Sequence, residues 1–329
     1  MKTRIIGKDL EVSSVGLGCM GFTHAYGDPM DENEAVYNLH KAVDMGYSFF
    51  DTAHRYVGLW PDGSEAYNEE LVGKAFEPYR SKVHIATKCG IHVTADGQRV
   101  VDCRPQTIRS ELESSLRRLR VDAIDLYYQH RPDPLVPEEE VAGLMEDLIR
   151  EGKILKWGVS EMDEQTLRTA HGICPVSALQ SRYSLMARWN EVIFPVLEEL
   201  GIAFVAFSPL ANGSLSDAYA DRVFTEKTDF RTVMPQFSGT GKEKNEPFLA
   251  VIREMASSKH VTPAQLSLAW MLEKKDYIIP IPGTRRPERM KENLLASEVS
   301  LDAEEMKILD SLAGTYDPQV YGGGAGNQR

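Results

Sequence analysis

Short apolar runs alternate with amphipathic stretches along almost the whole chain. The runs cover 14–18, 47–51, 83–88, 123–129, 155–160, 176–180, 203–208 and 277–282. Each is short, rich in β-branched or aromatic residues, and apolar on both faces. That pattern predicts strands of a parallel sheet buried on both sides. Between them, apolar residues recur at helical spacing. Over 105–120, Ile108, Leu112, Ser115, Leu116 and Leu119 share one face, and Pro105 suits the first turn. Over 31–45, Asp31 and Glu34 resemble a capping box, and Ala35, Leu39, Ala42 and Val43 form the stripe. The same periodicity predicts helices over 137–150, 163–171, 190–200 and 263–273. Residues 3–13 alternate around Gly7-Lys8, which predicts a β-hairpin. Eight strands, each followed by a helix, make either a closed (β/α)8 TIM barrel or an open doubly wound sheet. The count of eight favours the barrel. No repeat or composition shift marks a boundary, so a single domain over 1–329 is expected.

Three connections are long. Residues 57–68 are rich in turn formers, 91–103 carry a hairpin signal at Asp96-Gly97, and 211–247 look irregular. Long loops in a compact domain usually carry function or disorder. The tail over 322–329, GGGAGNQR, is expected to be flexible. Near the start, Gly16-Leu-Gly18-Cys-Met-Gly21 matches GxGxxG literally. A dinucleotide fingerprint needs those glycines to open directly into a helix. Here Gly27 and Pro29 intervene before the next amphipathic stretch, so the match is read as a first barrel strand and its exit.

Composition narrows the function classes. Hydrophobic residues make up 42% of 329, enough for a large core, and the formal net charge is −12. Such a balance argues against a nucleic-acid or anionic-membrane partner, so any bound anion needs a local basic cluster. Cys19, Cys89, Cys103 and Cys174 are scattered, without metal spacing, which implies a reducing compartment and no structural metal. The first residues lack the apolar stretch of a signal peptide, and no run is long enough to span a bilayer. A cytoplasmic protein is expected.

In (β/α)8 barrels the active site lies at the carboxyl ends of the strands. Here six of the eight runs end on a polar residue or are followed at once by one: Asp51, Lys88, His130 (after Gln129), Ser160, Gln180 and Ser208. An acid, a lysine and a histidine gathered there suggest chemistry. Tyr56 follows Asp51 in the next loop, and Tyr67 in the same loop is a competitor. A phenol ordinarily titrates near ~10, so it serves as an acid only beside a cation such as Lys88, which Asp51 would hold charged. His130 would bind a substrate carbonyl, whose oxygen takes the proton as hydride arrives. A second cluster runs from the last strand into a helix. Gly283, Thr284, Arg285, Arg286 and Arg289 surround that helix start, with Pro287 near its first position. Backbone donors, the helix end and arginines together make a phosphate site, and three arginines suit a phosphomonoester such as the 2′-phosphate of NADP.

The segments GLGCMG, FFDTAHRY, NEELVG, ATKCG, DLYYQH, GKILKWGVSE, LQSRYSL, AFSPLANG and IPGTRRPERMKENL resemble the aldo-keto reductase superfamily over nearly the whole chain. Within it, the chain is similar to bacterial-type members of the potassium-channel-β-like branch. The resemblance implies the catalytic set Asp51, Tyr56, Lys88 and His130, and it prefers Tyr56 to Tyr67. It implies NADPH/NADP+ as cofactor, no metal, and a small carbonyl compound as substrate. Ser160 and Gln180 would hold the nicotinamide amide, and Phe207 would stack on its ring in place of the usual tyrosine. Gly21, Asp51, Ser208, Leu210, Gly283, Thr284, Arg285, Arg289, Glu292 and Asn293 complete the implied cofactor contacts. Glu161 departs from the asparagine usual in the family. The 211–247 loop is expected to clasp the cofactor. Two other functions fit the same fold: a nucleotide-sensing regulatory subunit, and a dehydrogenase running in the oxidative direction. The aromatic residues Phe22, Tyr26, Trp60, Trp189 and Phe237 lie on loops and are candidate pocket walls.

Overall fold

A computed structural model describes residues 2–94, 98–219, 222–237 and 239–317. The apolar runs become eight parallel strands: β1 (Leu17–Gly18), β2 (Phe49–Asp51), β3 (His84–Cys89), β4 (Ile124–Gln129), β5 (Ile154–Ser160), β6 (Ala178–Arg182), β7 (Ala203–Phe207) and β8 (Ile278–Pro280). They neighbour one another in chain order within one sheet. Between them run α1 (Glu32–Met45), α2 (Asn68–Phe76), α3 (Pro105–Leu119), α4 (Glu138–Arg150), α5 (Glu164–Ile173), α6 (Phe194–Leu200), α7 (Gly239–Ser258) and α8 (Pro263–Lys274). After β8 come α9 (Pro287–Leu295) and α10 (Ala303–Ser311). The sheet closes on itself. Gly16 N–H donates to the Pro280 carbonyl at 2.9 Å, Gly18 N–H donates to that of Pro282 at 3.4 Å, and Gly18 bridges Gly283 in parallel. This is the barrel the pattern predicted.

The glycines of the GxGxxG match make that closure possible. A Cβ on Gly16 would lie 2.7 Å from the Phe49 ring and 2.9 Å from Ile281, and one on Gly18 would lie 3.0 Å from the Ile281 carbonyl. Only a 3-10 turn at Met20–Phe22 follows β1, and the next helix is α1. The dinucleotide reading is therefore rejected on geometry as well as on pattern.

Two apolar layers hold the wall. Inside, Phe49, Ala86, Leu126, Tyr128, Val205 and Ile279 fill the barrel, and Ile6, Leu10 and Val12 of the N-terminal hairpin join them. That hairpin pairs Thr3–Ile6 with Leu10–Ser13, as its alternation predicted. Outside, Tyr127, Trp157, Leu179 and Phe204 face the helices. The strands are apolar on both faces because both faces are covered.

Several boundaries shift. The strand expected at 176–180 sits at Ala178–Arg182, because its register is set by β5 and β7; Gly158 pairs with Ala178, and Ala178 with Ala203. Residues 57–68 form a hairpin of Val57–Leu59 with Glu65–Tyr67, turned by Gly63 at a φ of 85° and by Asp62, which accepts from Ser64 N–H at 2.9 Å. Residues 91–103 also form a hairpin, Ile91–Val93 with Arg99–Val101. Its predicted Asp96-Gly97 turn and the 322–329 tail lie outside the described residues. The irregular stretch expected over 211–247 ends sooner, at the start of α7, whose interior Pro247 conceals the helix in the sequence. Helices α2 and α10 were not anticipated.

Closure predicts a contrast between two glycines. Gly16→Ala overpacks the seam and should lower unfolding stability by about 1–3 kcal/mol. Gly143→Ala, inside α4 with nothing within 4 Å of the new methyl, should be neutral or raise it by up to about 1 kcal/mol. Urea unfolding of both variants measures this, and equal effects would remove the steric account of the seam.

Candidate active site

The polar strand ends converge. Lys88 is the penultimate residue of β3, with its side chain wholly buried, and its ammonium donates to Asp51 Oδ1 at 2.5 Å and to the Thr52 carbonyl at 2.7 Å. Its third neighbour is the Tyr56 hydroxyl at 3.4 Å. Burial, the largest influence, pulls the Lys88 pKa down, but Asp51 and Tyr56 outweigh it and the net shift is upward, so Lys88 stays charged. The other oxygen of Asp51 accepts from Gln180 Nε2 at 2.7 Å. His130 is buried, with ring centroids 6.2 Å from Tyr56 and edge-on to it. Burial, then the nearby Lys88 and arginines, push its pKa well below the usual imidazole range, so the ring is neutral. Its Nδ1 has no hydrogen-bond partner among the described residues.

Tyr67 is elsewhere. Its hydroxyl donates to Glu65, its ring lies 3.9 Å from the Arg118 guanidinium, and it does not line the cavity. Of the candidate aromatic walls, only Tyr26 lines the cavity; Phe22 is core.

One cavity of about 1090 Å³ is lined by every sequence-derived site residue except Lys88, which lies behind Asp51 and Tyr56. It runs from His130, Ser160, Gln180 and Phe207 past Ser208 and Leu210 to Gly283, Thr284, Arg285, Arg289, Glu292 and Asn293. Gly21 contributes its carbonyl, which accepts from Arg285 Nε. Arg285 Nη2 is buried without a partner among the described residues. Arg289 pairs with Glu292 at 2.5 Å, and Glu292 also accepts from Thr262 Oγ1 at 2.6 Å. The lone donor of Arg285, the bare backbone of Gly283 and the start of α9 suit a bound phosphate. At the other end, Ser160 Oγ accepts from Arg131 at 2.9 Å, and Phe207 lies beneath Arg182 at 5.4 Å. Glu161, at a φ of 54°, turns onto the backbone N–H of Arg182 at 2.7 Å and does not line the cavity.

A strap crosses the cavity, and the sequence did not disclose its fastening. Phe230 N–H donates to the Ala25 carbonyl at 3.0 Å, Gly27 N–H to that of Thr228 at 3.2 Å, and Asn212 to the Tyr26 hydroxyl at 2.7 Å. Buried Arg231 pairs with Asp229 and lies 4.9 Å from the ring of Tyr26, 4.6 Å from that of Tyr219 and 4.2 Å from that of Phe224. The loop after β1 and the loop after β7 are thereby joined. The signal was Asp229 and Arg231 amid aromatic residues, but nothing local says what they bind.

Known proteins resemble this chain in sequence and fold. The model of the aldo/keto reductase family matches residues 14–313. A relative named probable aldo-keto reductase 1, from Glycine max, is 39% identical over 300 residues, 90% of this chain and 84% of its own. The solved structure of a glycerol dehydrogenase from Gluconobacter oxydans matches with a TM-score of 0.83 at 29% identity, covering 96% of each chain. That of an aldo/keto reductase from Klebsiella pneumoniae, in complex with NADP and acetate, matches with a TM-score of 0.69 at 27% identity, covering 94% of this chain and 95% of its own. The chain belongs to the aldo/keto reductase family, oxidoreductases of carbonyl and alcohol groups. Among the described residues no helix is long and apolar enough to cross a membrane, and no group of three or more His, Cys, Asp or Glu is placed to hold a metal.

The buried pair predicts its own stability effect. Lys88→Met leaves the buried Asp51 without its counter-ion, and should lower stability by about 3–5 kcal/mol. Adding Asp51→Asn should restore most of that. Chemical denaturation tests it; a harmless single variant would deny the ion pair its structural weight.

Proposed function

We propose that this protein reduces small aldehydes and ketones with NADPH, using Tyr56 as the proton donor. The observation that carries the reading is the Lys88 ammonium, fixed by Asp51 and Thr52 and directed at the Tyr56 hydroxyl. When bound, NADPH supplies the hydride that reduces the carbonyl carbon. Tyr56 Oη gives its proton to the carbonyl oxygen, and the adjacent ammonium stabilises the negative charge left on the phenol. His130, kept neutral, holds the carbonyl oxygen as a hydrogen-bonding group without competing as an acid. Gln180 keeps Asp51 aimed at Lys88. For the cofactor, Ser160 and Phe207 border the nicotinamide end, while Gly283, Thr284, Arg285, Arg289 and Asn293 border the phosphate end. The unpartnered Arg285 nitrogen supports a cofactor bearing the extra 2′-phosphate. The strap lies over this groove and would govern entry and release. The complete set Asp51, Tyr56, Lys88 and His130 favours an enzyme over a purely nucleotide-sensing subunit.

Two measurements test this. Tyr56→Phe should lower kcat for a reactive aldehyde by about 10²–10⁴-fold while NADPH still quenches the protein's fluorescence with near wild-type affinity. Turnover close to wild type would show that another group donates the proton. The Arg285→Ala/Arg289→Ala variant should weaken NADPH by about tenfold or more and NADH far less. Equal weakening of both would end the 2′-phosphate assignment.

A further inference from the structure

Four arginines surround the reacting end of the cavity, and neither the catalytic set nor the phosphate cluster explains them. Arg55, Arg99, Arg131 and Arg182 all line the cavity together with Tyr56 and His130. They come from four separate elements: the loop after β2, the hairpin after β3, the residue after His130, and the end of β6. In a chain of formal net charge −12 this is a local reversal of sign. Arg285 and Arg289 belong to a different group, since they follow β8 and His130 follows β4, strands on opposite sides of an eight-stranded barrel.

Acids of the cavity do not pair with Arg55, Arg99 or Arg131 among the described residues. Of the lining acids, Asp51 is engaged by Lys88 and Gln180; Glu161, outside the lining, is held by the Arg182 backbone N–H and offsets only part of the effect of burial on Arg131. The other lining acids, Asp28, Glu226, Asp229 and Glu292, belong to the strap loops or to α9. Among the described residues no carboxylate oxygen lies within 4.0 Å of Arg55, Arg99 or Arg131. Arg131 donates from Nη1 to Ser160 Oγ and to the His130 carbonyl, and Arg182 lies over Phe207. The side chains of Arg55 and Arg99 make no hydrogen bond among the described residues. Burial and then the like charge of Arg99 hold the Arg55 guanidinium below its ordinary value. Like charges gathered without a paired carboxylate at Arg55, Arg99 or Arg131 are unfavourable for the fold alone, and such groups mark a place where an anion is expected.

We propose, resting on the carbonyl-reductase reading above, that the preferred substrates are small aldehydes or ketones bearing a carboxylate or phosphate. Arg55 and Arg99 contact the anionic group, while Arg131 and Arg182 supply a fixed positive field at the mouth. Guanidinium groups suit this task because they present paired donors to planar or tetrahedral oxyanions. The shared feature is the anionic oxygen cluster, and matched probes separate its two forms.

The test compares pairs that differ only in the anion: 4-oxobutanoate with butanal, and glyceraldehyde 3-phosphate with glyceraldehyde. With NADPH at low salt, kcat/KM should be at least about tenfold higher for the charged member of one pair or both. Added NaCl should shrink that preference. In Arg55→Gln/Arg99→Gln the preference should collapse, with the loss falling on the charged member. Calorimetry with succinate, an unreactive dicarboxylate, gives a readout without turnover: wild type should bind it and the double variant should not. Neutral aldehydes reduced as well as their charged partners, or a double variant that loses both alike, would overturn the proposal and leave the reductase reading standing. If wild type reduces none of the four, the reductase reading fails, and succinate binding alone decides whether the arginine site exists.

Discussion

The site is organised by an ammonium buried where no water reaches it. Lys88 sits near the end of β3 inside an apolar barrel, and such a charge is tolerated only with a counter-ion and acceptors fixed in place. Asp51 from β2 supplies the counter-ion, and the adjacent Thr52 supplies a carbonyl. Gln180 from β6, on the far side of the barrel mouth, holds the second carboxylate oxygen. Three strands must therefore be in register before the charge is satisfied. Once it is, Tyr56 and His130 inherit their environments: one faces a fixed cation, the other is too buried and too close to positive charge to be protonated.

The barrel below makes this possible by being dry. Large side chains fill its interior, and the N-terminal hairpin adds Ile6, Leu10 and Val12 to them. Polarity begins only where the strands end. The strap adds a second boundary above, so that the cavity lies between an apolar floor and a loop fastened by Arg231. Charges at such a boundary act through a medium less screening than water, and each is stronger for it.

Most of the wall was legible in the sequence, because strands covered on both faces leave unbroken apolar runs of characteristic length. So was the convergence of Asp51, Lys88 and His130, because a barrel brings strand ends to one rim. Three kinds of feature were not legible. Helix α7 was hidden by Pro247, which tertiary packing overrides. The displacement of β6 by two residues depended on register with neighbours distant in sequence. The arginines at the mouth, and the Arg231 fastening, stood on unrelated elements, and only three-dimensional proximity reveals them as groups. Tyr56 and Tyr67 looked alike by spacing until the hairpin between them turned one into the cavity and the other onto Arg118.

The seam between β1 and β8 joins residues separated by most of the chain, so it closes a very long loop. Gly283, which bridges Gly18 there, also belongs to the turn that carries Arg285 and Thr284 into the cavity. Arg285 in turn grips the carbonyl of Gly21, just beyond β1. An anion seated on this turn touches both ends of the barrel at once. Its binding energy reinforces the clasp of the entire ring, so occupancy would be felt as resistance to global opening and proteolysis far from the turn itself.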